Sequence, residues 1–329
     1  MAAPLFIALI LGGIVVLLFG GDLLVRGSAG LARIWRLPPL LVGLTIIAFG
    51  TSAPELVVSV QSALEDVPGL ALGNIVGSNT ANFLLILGLP AIFGAIPTTT
   101  PGVRRNAIIA LLAALALVAV SWDRTIDTVE SAVLFALIIG YVSLMGVLAG
   151  KKSDDPSLAE LTDLEHMEGL PTSMGRSVAA VLIGLVALPV GAQMIVTGGT
   201  EAALALNVDE ALIGLTAVAF GTSLPELATV VMASMRRQAD MAIGNVLGSN
   251  IFNVFAVGGA TGLAASAMGD NLPVPEGFFA LDLWVMVGAS VAIAAIILAR
   301  QPISRLFGLL LFTAYIGYMV VLARSALGS

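Results

Sequence analysis

The chain has 329 residues, 58% hydrophobic and only 11% charged, with a mean hydropathy of +1.06. Soluble globular chains carry about 25% charged residues, so this composition excludes a soluble domain. The net charge of −7 sits mostly in connectors, the 14 Lys and Arg form no basic patch that would point to nucleic acid, and the absence of cysteine removes disulfides and thiolate metal sites.

Apolar runs of roughly 18 residues or more recur along the whole length, the signature of transmembrane helices, so the solvent is a lipid bilayer. The opening Met1-Ala2-Ala3-Pro4 lacks the basic stretch of a secretory signal, and the first run reads as a helix of the mature protein. The fold class expected is an all-α polytopic membrane protein with ten spans, near 4–25, 38–64, 70–94, 104–121, 127–149, 175–200, 209–235, 241–267, 278–299 and 304–324. Most connectors are short. The longer polar one, 151–174, holds Asp154, Asp155, Glu160, Asp163, Glu165 and Glu168. It divides the chain into a first five-helix unit (1–150) and a second (175–329), and it reads as a solvated, partly helical linker.

Lys and Arg favour the cytoplasmic side of a membrane. One alternate set of connectors holds twelve: Arg26, Arg33, Arg36, Arg104, Arg105, Lys151, Lys152, Arg176, Arg236, Arg237, Arg300 and Arg305; the other holds two, Arg124 and Arg324. Both termini are therefore expected outside, with the acidic linker cytoplasmic. Without organelle signals or large loops, a prokaryotic inner membrane is the expected location. Five spans is an odd number, so the second unit enters the membrane upside down relative to the first. Inverted repeats of this kind place a transporter's site at the midplane between halves.

What is duplicated is polar. Gly43-Leu44-Thr45-Ile46-Ile47-Ala48-Phe49-Gly50-Thr51-Ser52-Ala53-Pro54-Glu55-Leu56 returns 171 residues later as Gly214-Leu215-Thr216-Ala217-Val218-Ala219-Phe220-Gly221-Thr222-Ser223-Leu224-Pro225-Glu226-Leu227. At the same shift, Gly73-Asn74-Ile75-Val76-Gly77-Ser78-Asn79-Thr80-Ala81-Asn82 returns as Gly244-Asn245-Val246-Leu247-Gly248-Ser249-Asn250-Ile251-Phe252-Asn253. Glu55 and Glu226 lie well inside their spans, where a charged side chain costs about 2.5–3.5 kcal/mol on insertion scales. No Lys or Arg lies at similar depth, which leaves a proton or a bound cation as partner. Pro54 and Pro225 have no N–H for the carbonyls of Gly50 and Gly221, so each helix breaks or kinks there. In hydrocarbon, freed carbonyls are tolerated only where they line a cavity or meet a partner. Thr51 and Ser52 share the face of Glu55, as Thr222 and Ser223 share that of Glu226. Carbonyls, hydroxyls and carboxylates together form an oxygen cage for a hard cation.

In the second phrases, Ser78 with Asn82 and Ser249 with Asn253 stand four apart. They are expected to add side-chain oxygens from the facing wall, while the glycines let helices approach closely. A single hydroxyl in a membrane helix can equally bond back to its own backbone, and Asn74 and Asn245 can equally serve as packing groups. Asp22, at the end of the first span, reads as interfacial and not as a ligand.

Other chemistries fit poorly. The one histidine, His166, lies in the linker, so an intramembrane Ser–His hydrolase is excluded. No phosphate-binding Gly-Lys-Ser or Gly-Lys-Thr is present, and no enzyme activity or bound cofactor is expected. Soft metals want Cys or His. Two carboxylates among neutral oxygens suit Ca²⁺, which takes six to eight oxygens flexibly, better than Mg²⁺, which dehydrates reluctantly. Na⁺ is similar in size to Ca²⁺ and takes the same carbonyls and hydroxyls. A cation channel would use a similar cage but needs a continuous pore.

At these paired motifs the sequence resembles the prokaryotic sodium/calcium exchangers of the cation/calcium antiporter superfamily, and the ten-span layout extends the likeness over nearly the whole chain. The resemblance implies an antiporter in which Ca²⁺ and Na⁺ compete for overlapping sites. Glu55, Glu226 and the carbonyls of Thr51 and Thr222 would hold Ca²⁺. Two Na⁺ sites would flank it, one using Ala48, Ser52 and Ser249, the other Ala219, Ser223 and Ser78, with Asn82 and Asn253 completing the central ring. Many members carry Asp at one of those last two positions, and here both are Asn. K⁺ coupling and stoichiometry are thereby open, and a Ca²⁺/H⁺ antiporter, with protons on the glutamates, is the alternative. The sliding elements are expected to be spans one and six, which lack the polar motif. Nothing in the sequence specifies an oligomeric state.

Overall fold

In the computed structural model, which describes residues 3–150, 169–205 and 221–327, helices account for almost every element. They are α1 (Ala3–Trp35), α2 (Pro39–Thr51), α3 (Ala53–Leu64), α4 (Pro68–Phe93), α5 (Val103–Val120), α6 (Thr128–Gly150), α7 (Met174–Ala205), α8 (Leu224–Met235), α9 (Ala239–Ala267), α10 (Phe278–Leu298) and α11 (Arg305–Leu327). Among the described residues eight helices are long and apolar enough to cross a membrane, and α2 with α3 makes a ninth, bent by 42°. Of the expected seventh span only α8 is described. The rest, 206–220, and the linker through residue 168 lie outside the described residues.

The first helix runs past its expected end at 25 because its polar residues find partners. Arg26 pairs with Asp22 one turn back, and Arg33 donates to the Pro171 carbonyl at 3.1 Å. It stops at Trp35, where Arg36 turns left-handed (φ 55°) ahead of Pro38 and Pro39. Asp22 is buried inside this helix, and its carboxylate also meets Arg236 at the end of α8.

Seven-residue spacing brings glycines back to nearly the same helix face. Gly13, Gly20 and Gly27 of α1 meet the antiparallel α7, whose Gly184, Gly191 and Gly198 repeat the pattern 171 residues on. A Cβ on Gly13 would lie 2.7 Å from the Gly191 carbonyl oxygen, and one on Gly184 2.8 Å from that of Gly20. The two helices therefore touch backbone to backbone along most of their length. Van der Waals contact of this kind is what binds helices in lipid.

The duplication extends to individual backbone bonds. α3 ends with Asp66 left-handed (φ 57°) and Val67 N–H on the Ser62 carbonyl at 2.8 Å; α8 ends with Arg237 (φ 58°) and Gln238 N–H on Ala233 at 2.8 Å. Both are Schellman-type caps, which return the chain at once into the next helix. α4 and α9 then carry π-helical turns, Asn82–Ile86 and Asn253–Gly258, that begin at repeat-equivalent asparagines. These two helices are the inner pillars. Within their apolar windows 100% of α9 and 83% of α4 is buried, against 22% of α11. Gly244 and Gly248 give α9 its seat on α2: a Cβ there would lie 2.6 Å from the Leu40 carbonyl and 2.7 Å from that of Leu44. The repeat-equivalent partners of Gly73 and Gly77 fall within 206–220, outside the described residues.

The connectors meet in two groups. In one, Ile96 bridges Ile303, Thr98 donates to Gln301, Thr100 to Asp240, and Arg33 to Pro171. In the other, β1 (Thr125–Ile126) pairs with β2 (Leu272–Pro273), Arg124 meets Glu276, and Gly69 approaches Pro275. The connectors after α3 and α8 belong to different groups.

The tight glycine seam makes a stability prediction. Gly191→Leu overpacks α1 against α7 and is expected to destabilise by about 1–3 kcal/mol, read as a lower Tm of purified protein in detergent. Gly140→Leu, at a glycine with open space around it, is the matched control. Equal Tm values for the two variants would refute the close seam.

Candidate cation site

Two prolines position the site. Pro54 and Pro225 sit in the first turns of α3 and α8, where a missing N–H costs no helical bond. Ser52 (φ −86°, ψ 4°) and Ser223 (φ −87°, ψ −2°) precede those turns. The first bonds follow at once: Leu56 N–H to Ser52 at 3.2 Å and Leu227 N–H to Ser223 at 3.1 Å. Glu55 and Glu226 thus stand in the first turn of helices that begin in mid-bundle. A helix N-terminus favours negative charge there, which lowers the burial cost of both carboxylates.

The structure brings the sequence-predicted residues of the two halves together. Glu55 is 0% exposed and Glu226 1%. Thr222 and Ser78 lie beside the Glu55 carboxyl, and Thr51 and Ser52 beside that of Glu226. Ser52 Oγ donates to Glu226 Oε1 at 3.3 Å, and Ser223 and Ser78 hydroxyls pair at 3.4 Å. Ser249 donates to Asn245 Oδ1 at 3.4 Å. The first half's Ser52 therefore bonds the second half's carboxylate, and the second half's Thr222 lies beside that of the first. The Ala48 carbonyl accepts from Ser52 N–H at 3.0 Å and from the Thr51 hydroxyl at 3.4 Å. Ala219 lies outside the described residues.

Asn74 and Asn245 are clamps between the halves, which resolves their two readings from sequence. Thr222 Oγ1 donates to Asn74 Oδ1 at 3.0 Å, and Asn74 Nδ2 donates to the Glu55 carbonyl at 3.1 Å and to Ser59 Oγ at 2.9 Å. In the mirror arrangement Thr51 Oγ1 donates to Asn245 Oδ1 at 3.3 Å, and Asn245 Nδ2 donates to Thr229 Oγ1 at 2.8 Å. Thr229 in turn donates to the Pro225 and Glu226 carbonyls at 3.0 and 2.9 Å. Ser59 and Thr229 do not occupy equivalent positions: 59 + 171 is Val230, and 229 − 171 is Val58. Comparison of the repeats therefore hides them. Their helical spacing, four residues after Glu55 and three after Glu226, was the available signal.

These clamps absorb the threonine hydroxyls and leave other atoms without partners. Glu55 Oε1 and Oε2, Glu226 Oε2, and both amide atoms of Asn82 and Asn253 are buried without any hydrogen bond. Buried polar atoms are normally bonded, so unpartnered carboxylate and amide oxygens mark a place for a ligand; the turn that begins at Asn82 packs on α8, and the one that begins at Asn253 packs on α3. No Lys, Arg or His pairs with either glutamate among the described residues. Nor is there any group of three or more His, Cys, Asp or Glu among them. The donor set is two carboxylates, two amide oxygens and flanking hydroxyls, all hard oxygen, and it fits an alkali or alkaline-earth cation.

Comparison with known proteins gives the same answer. Residues 5–147 and 176–324 match the family model described as sodium/calcium exchanger protein. The sodium/calcium exchanger MaX1 of Methanosarcina acetivorans is 29% identical over 96% of this chain and 98% of its own. The inner membrane protein YrbG of Escherichia coli is 32% identical over 96% of each. Among solved structures, the sodium-calcium exchanger NCX_Mj soaked with zero Na⁺ and Ca²⁺ superposes with a TM-score of 0.81, at 30% identity, over 98% of this chain and 100% of that one.

The clamp geometry predicts that residues off the ligand ring tune it. Ser59→Ala and Thr229→Val each leave a buried amide proton unpaired, and each is expected to weaken Ca²⁺ binding about tenfold. Thr229→Ser keeps the hydroxyl and most of the affinity. Equilibrium ⁴⁵Ca²⁺ binding to the purified protein measures this, and unchanged affinity in both losses would remove the two hydroxyls from the site's support.

Proposed function

The chain belongs to the sodium/calcium exchanger family, and from that premise we propose that it exchanges Ca²⁺ for Na⁺ across a prokaryotic inner membrane by alternating access. It is a multi-pass cation/Ca²⁺ antiporter, not an enzyme. The observation that carries the finer reading is the pair of buried carboxylates whose oxygens meet no cationic side chain.

Charge fixes the exchange rule. Two ionised glutamates are balanced by one Ca²⁺ or by two Na⁺; both ions together overload the same oxygens. Ca²⁺ would sit between Glu55 and Glu226 with the carbonyls of Thr51 and Thr222, ringed by Asn82 and Asn253. Na⁺ would take the flanking positions, Ala48, Ser52 and Ser249 on one side and Ala219, Ser223 and Ser78 on the other. The bonds that cross between the halves, Ser52 to the Glu226 carboxylate and Thr222 to the Asn74 amide, support a shared central site. Competition for it makes one ion's release the condition for the other's binding.

The full architecture in this reading is ten spans in two inverted five-helix repeats. The repeat-equivalent caps after α3 and α8, which join different groups of connectors, support it. Arg33, Arg236 and Arg300 fall in or beside the group that is cytoplasmic by charge, so both termini face out. α1 and α7, locked along their glycines, slide as one body past the site. Leu185 and Val196 of α7 lie against Gly50 and Gly221, at the two helix breaks, where such movement would open either side.

Two outcomes test the reading. Glu55→Gln and Glu226→Gln are each expected to abolish ⁴⁵Ca²⁺ uptake into proteoliposomes while the protein still inserts; wild-type-like uptake in either would overturn the site. With the unsubstituted protein, uptake is expected only when Na⁺ is inside. Uptake driven by an acid interior alone would make the protein a Ca²⁺/H⁺ antiporter, and uptake independent of both gradients would make it a channel.

A further inference from the structure

One buried carboxylate takes no part in the cation site. Asp22 lies 7% exposed on α1, and its two oxygens are divided between Arg26, one turn along the same helix, and Arg236 at the end of α8. Beside it the helices close fully. A Cβ on Gly21 would lie 3.1 Å from the Ala228 carbonyl oxygen and 3.3 Å from Met232 Cγ. Glycine and aspartate in succession thus seal α1 onto the half of α8 that leads from Glu226 to Arg236.

The repeat supplies an internal control. Adding 171 to 22 gives Gln193, which is uncharged, exposed, and bonded only along its own helix, to Thr197 at 3.2 Å. Gln193 lines a cavity of about 220 Å³ with Pro54, Val58, Thr222 and Pro225. This cavity holds α7 off α3 and reaches Thr222, a member of the cation site. One pair of equivalent faces is therefore open to the site, and the other is closed. The closed face alone carries the ion pair.

We propose that Asp22, with Arg26 and Arg236, is the inner gate of the transport cycle, a latch that shuts the route between the cation site and the side bearing Arg236. The proposal rests on the sliding of α1 and α7 described above. For α1 to move along α8, Arg236 must leave Asp22. Arg26 travels with α1, so the carboxylate keeps one guanidinium during the stroke and is never left unpaired in a low dielectric. A single arginine on the fixed helix would not allow this. The latch therefore sets how readily the inner side opens, without touching the transported ion.

The chain has no cysteine, so one introduced thiol reports alone. Met232→Cys places it on α8 beneath Gly21. Its labelling by a membrane-impermeant maleimide, added from the side bearing Arg236, reads the opening of that route. With ions held constant, Asp22→Asn and Arg236→Gln are each expected to speed labelling about tenfold while ⁴⁵Ca²⁺ binding in detergent persists. The exchange Asp22→Arg with Arg236→Asp keeps one carboxylate between two guanidinium groups and is expected to restore slow labelling. Labelling that stays slow in both single variants, each still binding Ca²⁺, overturns the latch. A parallel arm leaves Asp22 and Arg236 intact and compares labelling in Na⁺, in Ca²⁺ and in neither. If ions alter labelling but the charge variants do not, the latch falls and alternating access stands. If the charge variants alter it but ions do not, the latch stands and the exchange mechanism falls.

Discussion

Two carboxylates buried where, among the described residues, no cationic side chain meets them are the constraint on which everything else in this molecule depends. Each would cost about 2.5–3.5 kcal/mol in a membrane helix on insertion scales, and the protein reduces that cost without neutralising it. Breaking each helix just before its glutamate puts the carboxylate at a helix N-terminus, in the field of unpaired N–H groups. The remainder is left for the transported ion. A salt bridge to lysine or arginine would have stabilised the fold more and removed the function. The polar groups that could have bonded the carboxylates are diverted: the threonine hydroxyls go to Asn74 and Asn245. What holds the site together is thereby separated from what holds the ion.

Duplication makes this separation possible. A single broken helix would expose one carboxylate and a few carbonyls to one wall. Two copies facing each other let each half furnish the hydroxyls that line the other's carboxylate, so neither half is a site alone. The same duplication runs through parts of the molecule with no polar chemistry. Glycines at 13, 20 and 27 and at 184, 191 and 198 repeat at the motif's own shift. They make α1 and α7 one close-packed pair. Because small residues seat helices by backbone contact, such a pair resists separation. A body with those properties can move past a rigid site.

How much of this was legible beforehand follows from the kind of signal each feature leaves. The helical fold, the two motif pairs and the ligand candidates are written as residue type and spacing, and of those candidates the structure joins Ser52 to Glu226 and Ser223 to Ser78 across the halves. The end of the first helix near residue 25 is suggested by the charges of Asp22 and Arg26 at the close of a long apolar run. The helix continues instead, since Arg26 and the backbone of Pro171 satisfy its polar side. Ser59 and Thr229 are hidden from comparison of the repeats for another reason: they perform one task from positions that are not equivalent, and only their helical spacing from the glutamates marks them. The glycine heptads stand in the sequence too, but glycine spacing alone does not say which helix each face meets.

That departure from symmetry has a physical consequence. On the first half Asn74 bonds the Glu55 backbone directly; on the second, Thr229 stands between Asn245 and the Glu226 backbone. A direct bond and a relay through a rotatable hydroxyl differ in stiffness, and the two carboxylates, though each follows a Thr-Ser-x-Pro turn, are held differently. The gates are unequal as well, with an ion pair at Asp22 and a neutral Gln193 at the matching place. An exchanger built from perfect copies would have inner and outer states of equal energy and no preferred resting side. With the latch proposed at Asp22 the charge lies on one side only, and its pairing with Arg236 favours the state in which that side is closed.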